Sequence, residues 1–322
     1  MSDAATYVPR TYGAILLGGL FSAWLGGMVT AQTVVYIKLY LKRDSIRLKS
    51  LVGAVWLLDA LHSMAVWAAG WTYLIDGFGD TQGIAQIPWS IAMTVVFTAT
   101  LTFLVHLFLA RRIHLLSHGN YYLTAAVTVL AVLRLASACV TTGTMIHYGN
   151  YADFKEHFSW VFTLGLALSS AVDALITGCL FVLLHRSRKS TPLSMPGLTE
   201  MIDSLILYAF ESGSLTCFAT IVSMICWITM NHNLIFLGLH FVIAKLYANT
   251  FLATLNMRYM IRESRTSSIG QPGIIVLERQ DRDADSLEAN RSKLNGLQIS
   301  VDVQRTVQYD EDDSSDRGGG SK

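Results

Sequence analysis

The sequence predicts an all-α fold: a bundle of seven transmembrane helices followed by a disordered C-terminal tail. Three observations carry this. Of 322 residues, 52% are hydrophobic and only 15% charged, and the mean hydropathy is +0.43; a soluble domain of this size carries more charge. Seven segments contain the roughly 20 apolar residues needed to cross a hydrocarbon core. Lysine and arginine gather at alternate ends of those segments, which is the signature of oriented membrane helices.

The first span, about 12–40, follows an external segment, 1–11, whose start "MSDAATYVPR" lacks the basic stretch and short apolar core of a cleavable signal peptide. Within this span Gly19, Ala23 and Gly27 form a small-xxx-small series that would let a neighbour approach closely. The second span, about 50–75, runs from Lys49 to the turn-rich "DGFGDTQG". The third, 88–110, opens on Pro88-Trp89 and closes on Arg111 and Arg112, and the fourth covers 120–146. The fifth, 158–185, ends at Arg186, Arg188 and Lys189, and "TPLSMPG" separates it from the sixth, 200–230. A link of only Asn231, His232 and Asn233 makes the sixth and the seventh, 233–258, an antiparallel hairpin. Pro9, Pro88, Pro192, Pro196 and Pro272 all fall at boundaries or in tails, so the helices should run unkinked. Trp71, Tyr73, Trp89, Tyr121, Tyr122 and Trp160 lie near span ends, where amphipathic rings favour the headgroup layer.

Orientation follows from charge. The first, third and fifth connections and the stretch after the last span hold 13 Lys/Arg, whereas the alternate set holds only Arg10 and Lys155. This bias predicts an external N-terminus and a cytosolic C-terminus. The remaining residues, 263–322, hold 8 Lys/Arg against 12 Asp/Glu, are poor in aromatics and read as a disordered cytosolic tail. "RESRTSS" and the acidic surroundings of Ser314 and Ser315 are phosphorylation candidates that would alter charge near the membrane. The sequon at Asn290 falls on the cytosolic side and should carry no glycan. Cys139, Cys179, Cys217 and Cys226 all sit in apolar stretches, which implies no disulfide framework. Without a CxxC pair, an HExxH or clustered His/Cys spacing, no structural zinc site and no cofactor are expected.

Ionisable residues deep in a span are candidate functional residues, because a charge there is costly. They are Asp59 and His62 in the second span, Arg134 in the fourth, Asp173 in the fifth, Glu211 in the sixth and Lys245 in the seventh. At 1.5 Å per residue from the cytosolic end, Asp59 lies roughly 13 Å deep and the other charged residues about 17–21 Å deep. Two cations and two anions thus share a layer near mid-bilayer. Lys245, Asn249, Leu252 and Asn256 fall in a stripe about 60° wide. Ser169, Ser170, Asp173 and Thr177 line one face of the fifth span, and Asp59, His62 and Ser63 one face of the second. Lipid offers such faces no partners, so they should turn inward. Chain proximity predicts the pairs Glu211–Lys245 and Asp173–Arg134. His106, five residues before Arg111, reads as interfacial.

Several motifs carry a family resemblance. They are "WLLDALH" around Asp59 and His62, Pro88-Trp89, "RIHLLS" ending at Ser117, "DALIT" from Asp173, "HRSRKS", "YAFESGSLT" around Glu211 and, most specific, "KLYANTFLATLNMR". From about Tyr12 to Arg262 the chain resembles the fungal seven-helix membrane proteins, mainly of mushroom-forming basidiomycetes, defined by domain of unknown function 6534. His106 departs from the amide expected in relatives. The resemblance implies an integral seven-helix protein and brings no activity with it.

Four function classes compete. A receptor-like or signalling protein fits seven helices, basic internal loops and a phosphorylatable tail; its expected partners are the lipid bilayer, a small-molecule ligand and a cytosolic signalling protein, with no nucleic acid. Against G-protein coupling, the third span ends "ARRIH" with no acid-Arg-aromatic triplet, and the seventh lacks NPxxY. A transporter of ions, protons or small solutes would use the polar layer as a relay, but unbroken helices and two cations in that layer weigh against it. A retinal protein would form its Schiff base on Lys245, yet the third span holds no acidic counter-ion. An enzyme is not expected, because Asp59 and His62 alone are too few for metal-assisted chemistry. The plasma membrane is the default location.

Overall fold

The computed structural model describes residues 2–40, 44–78, 83–189, 196–230 and 233–267. The tail expected from 263 lies outside the described residues beyond Ser267, and with it Ser314, Ser315 and Asn290; Asn231 and His232 lie outside them too. Among the described residues seven α-helices follow one another: α1 Ser2–Tyr40, α2 Ile46–Trp71, α3 Trp89–Leu116, α4 Tyr121–Tyr148, α5 Tyr151–Lys189, α6 Pro196–Thr229 and α7 Ile235–Ser267. Each contains a stretch long and apolar enough to cross a membrane, and the fold is all-α, a multi-pass membrane bundle. Among the described residues the sole β contact is an isolated bridge between Gln86 and Asn150.

Most helices outrun their predicted spans, for local reasons. α5 starts at Tyr151 rather than 158 because Tyr151 and Phe154, three residues apart, bury one face while Asp153, Glu156 and His157 stay on the outside. Its start is capped by the Asn150 carboxamide, which accepts from Ala152 N–H at 2.8 Å. α6 begins at Pro196, where the missing N–H of proline leaves no helical bond unmade. α3 continues to Leu116, carrying a fully buried Ile113 past Arg111 and Arg112. α4 ends at Gly149, whose φ of 64° lies in the left-handed region that an L side chain avoids. A short π-helical turn, Thr72–Asp76, closes α2.

The helices pack as a ring in chain order, with α7 returning to α1, and α3 and α7 also meet across the middle. α3 and α7 are therefore the most buried elements, and buried polar side chains occur on every helix. The outside is apolar: Leu20, Trp24, Trp67 and Phe218 are exposed, as a bilayer-facing surface requires. Trp71, Trp89, Tyr121 and Tyr122 are exposed near helix ends as expected, and Trp160 is exposed further inside α5, which starts at Tyr151; Tyr73 is buried and donates its hydroxyl to the Gln86 carbonyl at 2.7 Å. That ring ties the α2–α3 connection to the bundle instead of sitting among headgroups. At the same end, Phe162, Trp227 and Phe236 form an aromatic cluster with ring centroids 4.7 and 4.8 Å apart.

Lipid tails are as apolar as these side chains, so close packing and interior polar contacts must hold the helices together. Close approach is visible between α1 and α7, which run parallel. A Cβ on Gly18 would collide with the Gly238 backbone, and one on Gly238 with the Ala14 carbonyl. The contact series on α1 is Gly18, Ser22 and Gly26, one residue before the predicted Gly19, Ala23 and Gly27. Both series have four-residue spacing, and the rotation of α1 against α7 selects the first; Gly27 faces open space.

Candidate functional site

Two buried polar clusters occupy the bundle interior, with a small cavity beside the second. The first is built on Lys245, in the central helix α7. Its ammonium forms an ion pair with Asp59 Oδ1 at 2.8 Å and donates to the Asp59 backbone carbonyl at 2.9 Å and to Ser63 Oγ at 2.6 Å. Lys245 is fully buried and Asp59 nearly so. Gly26 covers the pair from α1: a Cβ there would lie 3.5 Å from Lys245 Nζ. The four-residue spacing of Asp59 and Ser63 puts both on one turn of α2, so a single amine reaches both.

The partner of Lys245 differs from the expected one. Glu211 is exposed on α6. Closeness along the chain brings α6 and α7 together, but it does not decide which way a side chain points. Asn249 and Asn256 share the Lys245 stripe, yet they serve α1. Asn249 Nδ2 donates to the Leu25 carbonyl at 3.1 Å and to Lys245 O at 2.9 Å, and Asn256 Nδ2 donates to Gln32 O at 2.9 Å. His62, expected beside Asp59, is fully buried, and neither ring nitrogen has a hydrogen-bond partner.

The second cluster centres on Asp173 of α5. Tyr247 of α7 donates its hydroxyl to Asp173 Oδ2 at 2.5 Å, and His106 Nε2 of α3 lies 3.2 Å from Oδ1. Ser169, one turn earlier on α5, is 3.0 Å from the Tyr247 hydroxyl. The His106 ring meets the Tyr247 ring edge-on at 5.5 Å. Three helices thus converge on one carboxylate. His106 is not interfacial: α3 extends ten residues beyond it, about 15 Å of helix.

Arg134, the expected partner of Asp173, makes no ion pair or hydrogen bond with it. Its guanidinium carbon lies over the Tyr247 ring, 5.8 Å from the centroid, and Nε has no hydrogen-bond partner. Arg134 is 8% exposed. A charge so placed costs at least about 2.5–3.5 kcal/mol on insertion scales when uncompensated. Beside it lies a cavity of about 40 Å³, lined by Arg134, His240, Thr98, Thr141 and Thr220 among apolar walls. His240, buried on α7, has neither ring nitrogen hydrogen-bonded, and Thr98 Oγ1 is likewise unpartnered.

Sequence reasoning passed over His240, Tyr247 and the polar stripe of α3. That stripe was readable. Ser90, Thr94, Thr98, Thr102 and His106 recur every four residues, and all five are buried. Their small hydroxyls pass as ordinary helix residues, and Thr102 returns its hydroxyl to its own helix at Thr98 O. Tyr247 gave no such signal, since its role depends on α5 lying opposite. Among the described residues no group of three or more His, Cys, Asp or Glu converges to hold a metal ion, and the four cysteines are free thiols.

No curated protein and no solved structure matches this chain. A family model described as a family of unknown function, DUF6534, matches residues 169–260, the stretch that carries Asp173, His240, Lys245 and Tyr247.

Proposed function

We propose that this membrane protein is receptor-like: a seven-helix signalling protein of the plasma membrane, of the fungal type its motifs resemble, with the N-terminus outside and the C-terminus in the cytosol. One observation carries the reading. At the centre of an unbroken bundle, a cavity is lined by buried polar groups that the protein itself leaves unpartnered, Arg134 and His240 foremost. Interior polar groups are ordinarily satisfied, and a bound small molecule would satisfy these. The flanking clusters, Lys245–Asp59 and Asp173–Tyr247–His106, join α2, α3, α5 and α7. A ligand that favours one arrangement of those helices would be felt at both bundle ends. The cytosolic loops and tail would then present the change to a signalling partner.

A thermal-shift screen of small polar and charged compounds against the full chain in nanodiscs tests this. The expected result is a class of compounds that stabilises the wild type and loses its effect on Arg134→Gln, while Glu211→Gln behaves as wild type. If no compound stabilises the wild type selectively, the reading falls.

The alternative is a proton or small-solute transporter, favoured by the buried α3 stripe from Ser90 to His106, which leads to Asp173. Flux measured in liposomes tests it, and a silent assay removes it. The retinal reading has less support, since the Lys245 amine is engaged by Asp59 and Ser63 and does not line the cavity. Purified protein that stays colourless with added retinal ends that reading.

A further inference from the structure

We infer that the cavity between α3, α4, α5, α6 and α7 is a binding site for a short-chain monocarboxylate, held by Arg134. The inference rests on the receptor-like reading of the same cavity and names the chemistry of its occupant.

Charge comes first. Among the described residues the two buried carboxylates are both committed: Asp59 to Lys245, and Asp173 to Tyr247 and His106. Arg134, more than nine-tenths buried, is left with only the face of the Tyr247 ring. A carboxylate in the cavity would give the guanidinium the direct ion pair that Asp173, held by Tyr247 and His106, does not. Donor geometry follows. A guanidinium presents parallel N–H groups that match the two oxygens of a carboxylate, a fit that a spherical ion cannot use. Nε, one of those donors, has no protein acceptor. Thr98 Oγ1 and the ring nitrogens of His240 are buried, unpartnered and on the cavity wall, so they can complete the oxygen's hydrogen bonds. Size and polarity set the rest. One water-sized group occupies about 10–15 Å³, and the cavity offers about 40 Å³, enough for a carboxylate and a very short tail. Val95, Ala99, Phe162 and Ile243 supply apolar wall for that tail. A longer or doubly charged acid would meet apolar side chains or lack a second cation.

Full-length protein in nanodiscs is titrated with sodium acetate, sodium propionate, propionamide and sodium chloride at constant ionic strength, and unfolding is followed by tryptophan fluorescence. Saturable stabilisation by acetate or propionate is expected, with none from propionamide or chloride. Arg134→Lys should bind at least about tenfold more weakly, because the fork is lost, and Arg134→Gln should not bind. Glu211→Gln should match the wild type. If Arg134→Gln does not fold, Thr98→Val and His240→Asn serve instead, each expected to weaken binding several-fold. Equal effects of propionate and propionamide, or full competition by chloride, would overturn the inference, as would unchanged binding in Arg134→Lys, Thr98→Val and His240→Asn. Where an uncharged compound stabilises the wild type but no acid does, the carboxylate inference falls and the receptor-like reading stands. Where none of the four binds saturably, the carboxylate inference falls, and the receptor-like reading stands or falls with the wider screen.

Discussion

Lys245 and Asp59 face each other across α7 and α2 at 2.8 Å, with Gly26 of α1 closing over them. Taking one partner away strands a charge, whereas replacing both with apolar residues of similar volume removes the desolvation cost as well as the attraction. Lys245→Met or Asp59→Leu alone should therefore destabilise by about 3–5 kcal/mol, and the double variant should recover most of that. Denaturant titration of the four proteins in one detergent gives the cycle, and strictly additive losses would contradict the pairing.

The α1–α7 crossing should be intolerant of a single methyl group. At Gly18 and Gly238 a Cβ meets backbone of the other helix, and backbone cannot swing aside as a flexible side chain can. Gly18→Ala and Gly238→Ala should each cost about 1–3 kcal/mol. Gly27→Ala, with nothing within 4 Å, should stay within about 0.5 kcal/mol of wild type. Melting temperatures of the three variants decide whether the 18–22–26 face or the 19–23–27 face of α1 is the packed one.

Tyr247 holds the Asp173 carboxylate from across the bundle, so its hydroxyl should matter more than its ring. Tyr247→Phe keeps the ring under Arg134 and the edge contact with His106 but removes the donor to Asp173 Oδ2. A loss of roughly 1–3 kcal/mol is expected, as for a hydrogen bond to a charged group. Combined with Asp173→Asn the losses should be less than additive, and a stability cycle measures the coupling.

Orientation is testable without any ligand. With 13 Lys/Arg on one set of connections and 2 on the other, a C-terminal epitope should be reached by antibody only after cells are permeabilised, and an N-terminal one before. The reverse pattern would require the cytosolic and external assignments of every connection to be exchanged.

The sequence revealed helices and polar residues better than it revealed partners. Hydropathy located each span to within a few residues of its core, but ends such as Tyr151 of α5 and Leu116 of α3 extended further because amphipathic turns can continue a helix past the lipid. Asp59, Asp173, Arg134 and Lys245 stood out because a charge in an apolar run is rare. His106 and Thr98 did not: one lay close to basic residues, and the other looks like any threonine in a membrane helix.

By itself, then, the sequence determined that the chain forms seven apolar helices, that Asp59, Arg134, Asp173 and Lys245 lie deep within them, and that the charge bias favours one orientation. These follow from solvation of each segment separately, whose cost is a sum over its own residues. Which charges meet was decided only by the tertiary structure. Lys245 could reach Glu211 or Asp59 by depth alone, and the rotation of each helix about its own axis chose Asp59, turned Glu211 outward and left Arg134 beside a cavity. That rotation depends on close packing with every neighbour at once, down to a methyl group at Gly18 and Gly238.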